Sequence, residues 1–244
     1  MIITYDQIDS TNRVAKELAV AGKPAGTVVL AATQSAGKGQ YGRNFNSPRG
    51  GLYFSLLLEP DVPIESLPLI TLATGLACRN VLHRAFNLYP LIKWPNDIYL
   101  DGKKVAGILC ENLCTPHPSG TTARIIIGVG LNVNNRKEDF AVELQPIITT
   151  LWEQLRVPVD LEELLARLTQ AIPAQVSRLR HERQSLLAEW QQFDFLLHKR
   201  VVHVLEGRTL HGIGQGISSQ GLYRIHDDNG IEHMVIGGQL RPQQ

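Results

Sequence analysis

The stretch KWPNDIYLDGKKVAGILCEN, residues 93–112, interrupts a regular strand pattern with a proline and two polar side chains. LIKWPNDIYL (91–100) and VAGILCEN (105–112) both read as strands, and Asp101-Gly102 between them is the signal of a tight hairpin turn. On the plainest reading the segment is a hairpin whose Lys103 and Lys104 are exposed charges following the turn. That reading leaves Trp94-Pro95-Asn96-Asp97 without a reason, because a proline inside a strand removes a ladder hydrogen bond. The interruption makes sense if it turns Asn96 and Asp97 toward a substrate or a magnesium-bound phosphate, with Lys104 projecting a point charge into the same cleft.

Outward from this hairpin the pattern is mixed α and β. A short strand at 2–5 is followed by DSTN (9–12), whose Asp9, Ser10 and Thr11 are helix-capping residue types, and by an amphipathic helix beginning near Asn12. GTVVLAAT (26–33) and LYFSLLLEP (52–60) read as buried strands, the second stopped by Pro60, and LPLITLATGLACRNVLHRAF (67–86) has helical apolar spacing. RIIIGVGLNVN (124–134) is a further strand. Two Leu-rich helices, DLEELLARLTQAI (160–172) and VSRLRHERQSLLAEWQQF (176–193), are expected to be broken at Pro158 and Pro173 and to cover a sheet face. From about 198 the runs RVVHVL, TLHGIGQGI, LYRIHD and HMVIGGQL alternate between Gly or Asp-Asn-Gly turns, the composition of a small β-barrel. The expected fold is α+β, with a mixed central sheet and covering helices over 1–195 and a small C-terminal barrel over 196–244.

Composition narrows the function classes. Of 244 residues, 43% are hydrophobic and 19% charged, as in an ordinary globular chain. Lys plus Arg number 24 and Asp plus Glu 23, a formal charge of +1 that argues against a duplex nucleic acid partner and confines any basic patch to one locality. No apolar run approaches the ~20 residues of a membrane span, and three cysteines form no disulfide framework, which together point to a reducing, cytoplasmic setting.

The stretch QSAGKGQYGRNFNSPRGG, Gln34 to Gly51, carries glycines at 37, 39, 42, 50 and 51 and the cations Lys38, Arg43 and Arg49. By composition it is a solvated loop. Its sharper reading is a backbone cradle for an anion, the glycines turning N–H groups inward while the cations neutralise phosphate. Gly39 after Lys38 excludes a Walker A loop, and a following strand rather than a helix excludes a Rossmann turn. Cys110, Cys114 and His117 have a zinc-like spacing but no second pair, and read as packing and loop residues. His203, His211, His226 and His233 read as members of half-buried strands.

Taken together, DSTN (9–12), QSAGKGQYGRNF (34–45), GLYFSLLL (51–58), KWPNDI with GILCEN, and GVGLNVN (128–134) resemble the biotin–protein ligase family, in the family's order and across residues 9–134, with the C-terminal barrel also matching. The resemblance implies the fold shared with class II aminoacyl-tRNA synthetases plus an SH3-like barrel. It also implies a two-step reaction, in which biotin and MgATP give biotinoyl-5′-AMP and pyrophosphate, and a lysine of a biotin carboxyl carrier domain, from acetyl-CoA carboxylase or a related carboxylase, then attacks the mixed anhydride. By position, Lys104 matches the catalytic lysine, with Lys38 and Arg43 as further cations. Ser10, Thr11, Asn12, Gln34, Gly37, Lys38, Tyr53, Gly107 and Gly130 match biotin contacts or channel walls. Gly39, Gln40, Arg43, Phe45, Asn96, Asn132 and Arg241 match the adenylate side, and Asp97 is the implied magnesium contact, through phosphates. The 34–51 stretch becomes a mobile lid that orders over the acyl-adenylate. Members often pair through the central sheet, so a homodimer is an implied assembly, for which the sequence supplies no apolar patch.

Two departures stand out. The family's loop reads GRGRxGR, whereas this chain has GKGQYGR, so Lys38 keeps charge without a bidentate fork and Gln40 loses the charge. Some relatives also carry an N-terminal DNA-binding helix-turn-helix, and with the catalytic pattern starting at residue 2 none is expected here. Two other readings stay open at this point: a lipoate ligase or octanoyltransferase of the same fold, and a non-catalytic biotin-binding module.

Overall fold

Period-2 burial organises a seven-stranded mixed sheet in the computed structural model, which describes residues 1–117 and 120–243 and omits the side chains of 114–117 and 120–122. The chain runs β1 (Ile2–Ile8), α1 (Thr11–Val20), β2 (Val28–Gln34), β3 (Leu52–Leu58), α2 (Ile70–Phe86), β4 (Leu91–Lys93), β5 (Asp97–Leu100), β6 (Lys103–His117) and β7 (Gly120–Leu131). The sheet order is β1-β2-β3-β7-β6-β5-β4, with only β1 and β2 parallel. Alternate residues go to opposite faces. Val29, Leu57 and Ile126 meet Val14, Ala15 and Ala19 of α1 on one side. Val28, Leu56, Ile125 and Ile127 join the main core on the other, beneath α2. Both faces are therefore covered, which explains why LYFSLLL is apolar at six of its seven positions rather than alternating.

Helices α3 (Leu151–Leu155), α4 (Leu161–Ser177) and α5 (Arg183–Gln191) follow the sheet. Asp160 starts α4 by accepting hydrogen bonds from the amides of Glu162 and Glu163 at 2.9 and 3.1 Å. Pro173 does not break α4, contrary to expectation. Leu164, Leu165, Leu168, Ile172 and Val176 form one buried stripe on both sides of it, and that packing outweighs the missing N–H. The helix expected over 176–193 is divided instead, with a turn between Ser177 and Arg183. The helix expected from 67 begins at Ile70, after a 3-10 turn that accommodates Pro68.

The 91–100 run is two strands rather than one. Residues 94–96 leave the ladder through a cis Trp94-Pro95 bond, so the proline sits where no ladder hydrogen bond is required. The hairpin turn is Asp101-Gly102 alone, and Lys103 and Lys104 already belong to β6.

The C-terminal sheet has five strands, β8 (Arg200–Leu205), β9 (Arg208–Ile217), β10 (Tyr223–Asp227), β11 (Glu232–Val235) and β12 (Gln239–Pro242), in the order β11-β10-β9-β8-β12. The run HMVIGGQL is thus two strands around Gly237-Gly238. This sheet and the larger one share a core. Trp94 donates from Nε1 to the carbonyl of Gly221 at 3.0 Å and lies 5.7 Å, centroid to centroid, from the ring of Tyr223. Phe193 and Phe195 pair their backbones with Ile92 at the β4 edge before the chain enters the barrel.

Asp194 lies in this seam, accepting from the Tyr223 hydroxyl at 2.8 Å and from the Leu196 amide at 2.9 Å. Burial pushes its carboxyl up to about 6 against those two hydrogen bonds. A folded-state value above the unfolded one means the folded protein binds the proton more tightly. The associated stability is present below about pH 4 and lost as pH rises through about 6, on the order of 3 kcal/mol in all. Asp194→Asn is expected to flatten this part of the stability–pH curve, measured by urea unfolding at pH 4.5 and 7. An unchanged difference between the two pH values in the variant would show that the carboxyl is not its source.

Candidate active site

The β5–β6 hairpin brings the charged side chains of the deciding stretch together. Asp97 pairs with Gly107 and Tyr99 with Lys104, a register slip between Ile98 and Tyr99 setting the two on the same side of the ladder. Lys104 Nζ lies 2.6 Å from Asp97 Oδ1, and Lys93 Nζ lies 3.8 Å from Oδ2 of the same carboxylate. Asp97 Oδ1 is buried and receives no well-aligned hydrogen bond, so the contact with Lys104 is an ion pair rather than a directed bond. Burial lowers the Lys93 pKa; Asp97 opposes the shift, and Lys104 and Arg43 reinforce it. Asn96 is clamped to β6, donating from Nδ2 to the Ile108 carbonyl at 2.7 Å and accepting at its own carbonyl from Ile108 N at 2.9 Å.

These residues face a cavity of about 1010 Å³. Six cations line it, Lys38, Arg43, Lys93, Lys103, Lys104 and Arg241, against the carboxylates of Asp97 and Asp101. A cleft so biased in a chain of formal charge +1 concentrates positive potential where an anion would bind. Its floor includes Gly107, Gly128 and Gly130. One wall is apolar, formed by Phe140, Leu144, Ile147 and Ile148. Beside that wall Asn132, 3% exposed, donates from Nδ2 to the Thr149 carbonyl at 3.1 Å, while its Oδ1 has no partner among the described residues. A buried amide oxygen left open on a cavity wall suits a ligand N–H.

Ser10, Thr11 and Gln34 close the opposite end of the cavity. Gln34 Oε1 accepts from both the amide and the hydroxyl of Thr11, at 2.8 and 3.1 Å, and its Nε2 donates to Ser47 Oγ at 2.9 Å. Ser10 occupies the N-cap of α1, but its hydroxyl makes no capping bond and stays available to a ligand.

The glycine-rich stretch is folded rather than structureless. The amides of Phe45 and Gly39 donate to the carbonyls of Gly37 and Arg43, each at 2.7 Å, closing a small loop within the loop. The physical reason is Phe45, whose ring lies against the Cα positions of Gly107 and Gly130; a Cβ at Gly107 would meet it at 3.1 Å, and one at Gly130 would overlap it.

Of the residues singled out from the sequence, Ser10, Thr11, Gln34, Lys38, Gly39, Gln40, Arg43, Phe45, Asn96, Asp97, Lys104, Gly107, Gly130, Asn132 and Arg241 line the cavity. Asn12, Gly37 and Tyr53 do not. Asn12 is buried, donating to Leu109 O and Glu111 at 3.2 and 2.7 Å with its Oδ1 2.6 Å from Ser55 Oγ, and so supports the floor from behind. Tyr53, fully buried, donates to the Pro48 carbonyl at 2.7 Å and packs edge-on to Phe45; burial holds its phenol well above the usual range. Gly37 is buried within the loop, where a Cβ would meet Ser47 Oγ at 2.9 Å. Asp97, implied as a magnesium contact through phosphates, has its carboxylate between two ammonium groups. The described residues hold no cluster of His, Cys, Asp and Glu fit for an ion. Cys110 lies in β6, where burial pushes its thiol up to about 11, and the side chains of Cys114 and His117 lie outside the described residues.

Lys93 and the 140–148 wall were missed from the sequence. Lys93 could have been found from its place four residues before Asp97, on the same face of a run read as one strand; the wall carries no helix or strand periodicity and gives no such signal.

The chain is similar to known proteins along most of its length. The model of the biotin/lipoate A/B protein ligase family matches residues 4–132, just over half of the chain. The chain is 31% identical over 234 residues to a bifunctional ligase/repressor of Bacillus subtilis, covering 95% of this chain and 71% of that one. It is 30% identical over 237 residues to a biotin–acetyl-CoA-carboxylase ligase of Mycobacterium tuberculosis, covering 94% and 84%. A biotin protein ligase of Aquifex aeolicus, solved with biotin and ATP, superposes with a TM-score of 0.86 at 28% identity over 99% of each chain.

The floor glycines are expected to respond differently to a methyl group. Gly128→Ala drives a Cβ into Asn12, which is buried and bonded on three sides and has nowhere to go, so it should cost about 1–3 kcal/mol in thermal or urea unfolding. The atoms nearest a Cβ at Gly130 all belong to the Phe45 ring on its loop, so Gly130→Ala should leave global stability nearly intact while speeding amide exchange over 37–45. Equal destabilisation by both variants would contradict this account of the floor.

Proposed function

We infer the chemistry from one premise: the chain belongs to the biotin/lipoate A/B protein ligase family. It is a biotin–protein ligase, which activates biotin with ATP to biotinoyl-5′-AMP and transfers the biotinoyl group to a lysine of a carboxylase's biotin carrier domain. In the first step a biotin carboxylate oxygen bonds to the α-phosphorus of ATP as the bond to pyrophosphate breaks; in the second, the carrier lysine attacks the acyl carbon and AMP leaves.

The observation that carries the assignment of residues is Lys104, held at the centre of a cationic cleft by an ion pair it can leave. A carboxylate approaching a triphosphate meets like charge, and a preorganised ammonium at the junction lowers that repulsion without solvent reorganisation. Lys104 is the catalytic group in this reading, with Lys38 and Arg43 neutralising phosphate oxygens from the loop. Ser10, Thr11 and Gln34 meet biotin at the closed end over the floor of Gly107 and Gly130. The open Oδ1 of Asn132 beside the apolar wall of Phe140 and Ile148 accepts from the nucleobase, and Arg241 reaches the nucleotide from the barrel. Residues 1–195 form the catalytic part and 196–244 the barrel that completes it.

Magnesium would arrive with the ATP phosphates and meet Asp97, the inner carboxylate of the cleft, through them as Lys104 moves onto the ligand. No helix among the described residues is long and apolar enough to cross a membrane. Cys78 and Cys110 are free thiols, which suits a cytoplasmic setting, and a homodimer through the β1 edge, where Ile2 is exposed, is the assembly this reading favours.

Biotin-dependent ATP–pyrophosphate exchange should be present in the wild-type protein, absent with lipoate, and reduced at least 100-fold by Lys104→Ala, the scale of losing one preorganised charge-stabilising group. Exchange driven by lipoate, or undiminished in the variant, would overturn the assignment. Gln40→Arg should slow release of the acyl-adenylate, since Gln40 lines the cavity without charge; equal release rates would remove Gln40 from that role.

A further inference from the structure

One contact at the mouth of the cavity joins residues far apart in the chain. Tyr41 stands at the tip of the glycine-rich loop with φ 58°, a left-handed conformation uncommon outside glycine, which carries its side chain away from the loop and toward the barrel. The residue is 60% exposed, yet its hydroxyl accepts a hydrogen bond from the amide of Gly238 at 2.6 Å, in the turn between β11 and β12. The turn is shaped for this contact. A Cβ at Gly237 would overlap the Tyr41 hydroxyl, while Gly238 has φ +90° and a Cβ there would meet His203 Nε2 and Val204 O at 2.7 Å. Beneath it, the buried His203 ring lies with Nε2 2.6 Å from the Gly237 carbonyl, fixing the peptide that carries the donor.

On either side of the contact lie cavity residues. Lys38, Gln40 and Arg43 flank Tyr41 on the loop, and Arg241 follows Gly238 on β12. We propose that Tyr41 is a latch: it seats the glycine-rich loop on the C-terminal sheet, so that the loop cations and Arg241 close over one ligand. It is a positioning residue, acting through the groups it holds, and the proposal deepens the ligase reading on which it rests. A latch of one hydrogen bond is strong enough to bias a loop and weak enough to open each turnover. The barrel thereby becomes part of the closure that shields a hydrolysable acyl-adenylate from water.

Tyr41→Phe deletes the hydroxyl alone, and Gly237→Val disturbs the same contact from the barrel side at a position free of the left-handed requirement. In the protein without substrates, amide exchange over 38–46 should quicken in both variants and stay unchanged in β3 and β7. Formed in situ, biotinoyl-5′-AMP should leave either variant about three- to tenfold faster than wild type, the scale of one neutral hydrogen bond. The single-turnover rate of adenylation at saturating ATP should stay within about twofold. The double variant should be no faster in release than the worse single, because both remove one contact. Unchanged exchange and release in Tyr41→Phe, or effects that multiply in the double variant, would overturn the latch. Failure of the wild type to adenylate biotin would instead sink the ligase reading, and the substrate-free exchange measurement would still decide whether Tyr41 holds the loop.

Discussion

The ion pair between Lys104 and Asp97 is the interaction on which the rest of the site depends. An ammonium must be ready in a cleft partly withdrawn from water, yet uncommitted enough to move onto a ligand. A carboxylate shared with Lys93 meets both demands: it offsets the desolvation of Lys104, and a second cation remains on it when Lys104 leaves. The backbone makes that arrangement by leaving the ladder at 94–96. Trp94 then turns into the seam with the C-terminal sheet, Asn96 locks onto β6, and Asp97 begins the strand opposite the lysine. The same short stretch therefore supplies the site's carboxylate and anchors the barrel whose Arg241 lines the cavity.

Charge and shape are separated in the cavity. Cations come from β4, the hairpin, the loop and β12, while the floor is bare backbone at Gly107 and Gly130. Phe45 covers that floor from the loop, and two glycines let the loop turn around it: a Cβ at Gly37 would overlap the Phe45 carbonyl, and Gly42 has φ +71°. A cleft holding six cations and two carboxylates is compatible with a formal charge of +1 because the rest of the chain holds 21 carboxylates against 18 cations.

Lys104, Asn96 and Asp97 are legible from the sequence because a proline breaking a strand beside a tight turn has few structural reasons to exist. The sheet and the barrel are legible because β-branched runs between glycines leave little choice of state. Asn12 and Tyr53 belong to recognisable motifs, yet the structure turns both beneath the floor, since a motif says which residues gather and not which way each faces. Pro173 misleads because local propensity yields to the buried stripe running through it. Tyr41 gives no signal at all, for its partner is a backbone amide 197 residues away and only the assembled barrel brings the two together.

The most direct test of the central role of Lys104 is a crystal structure with a non-hydrolysable biotinoyl-adenylate analogue. The account predicts Lys104 Nζ within about 3 Å of the acyl-phosphate oxygens, withdrawn from Asp97, with Lys93 left as that carboxylate's partner. Lys104 still seated on Asp97, with a different cation meeting the phosphoryl group, would contradict it.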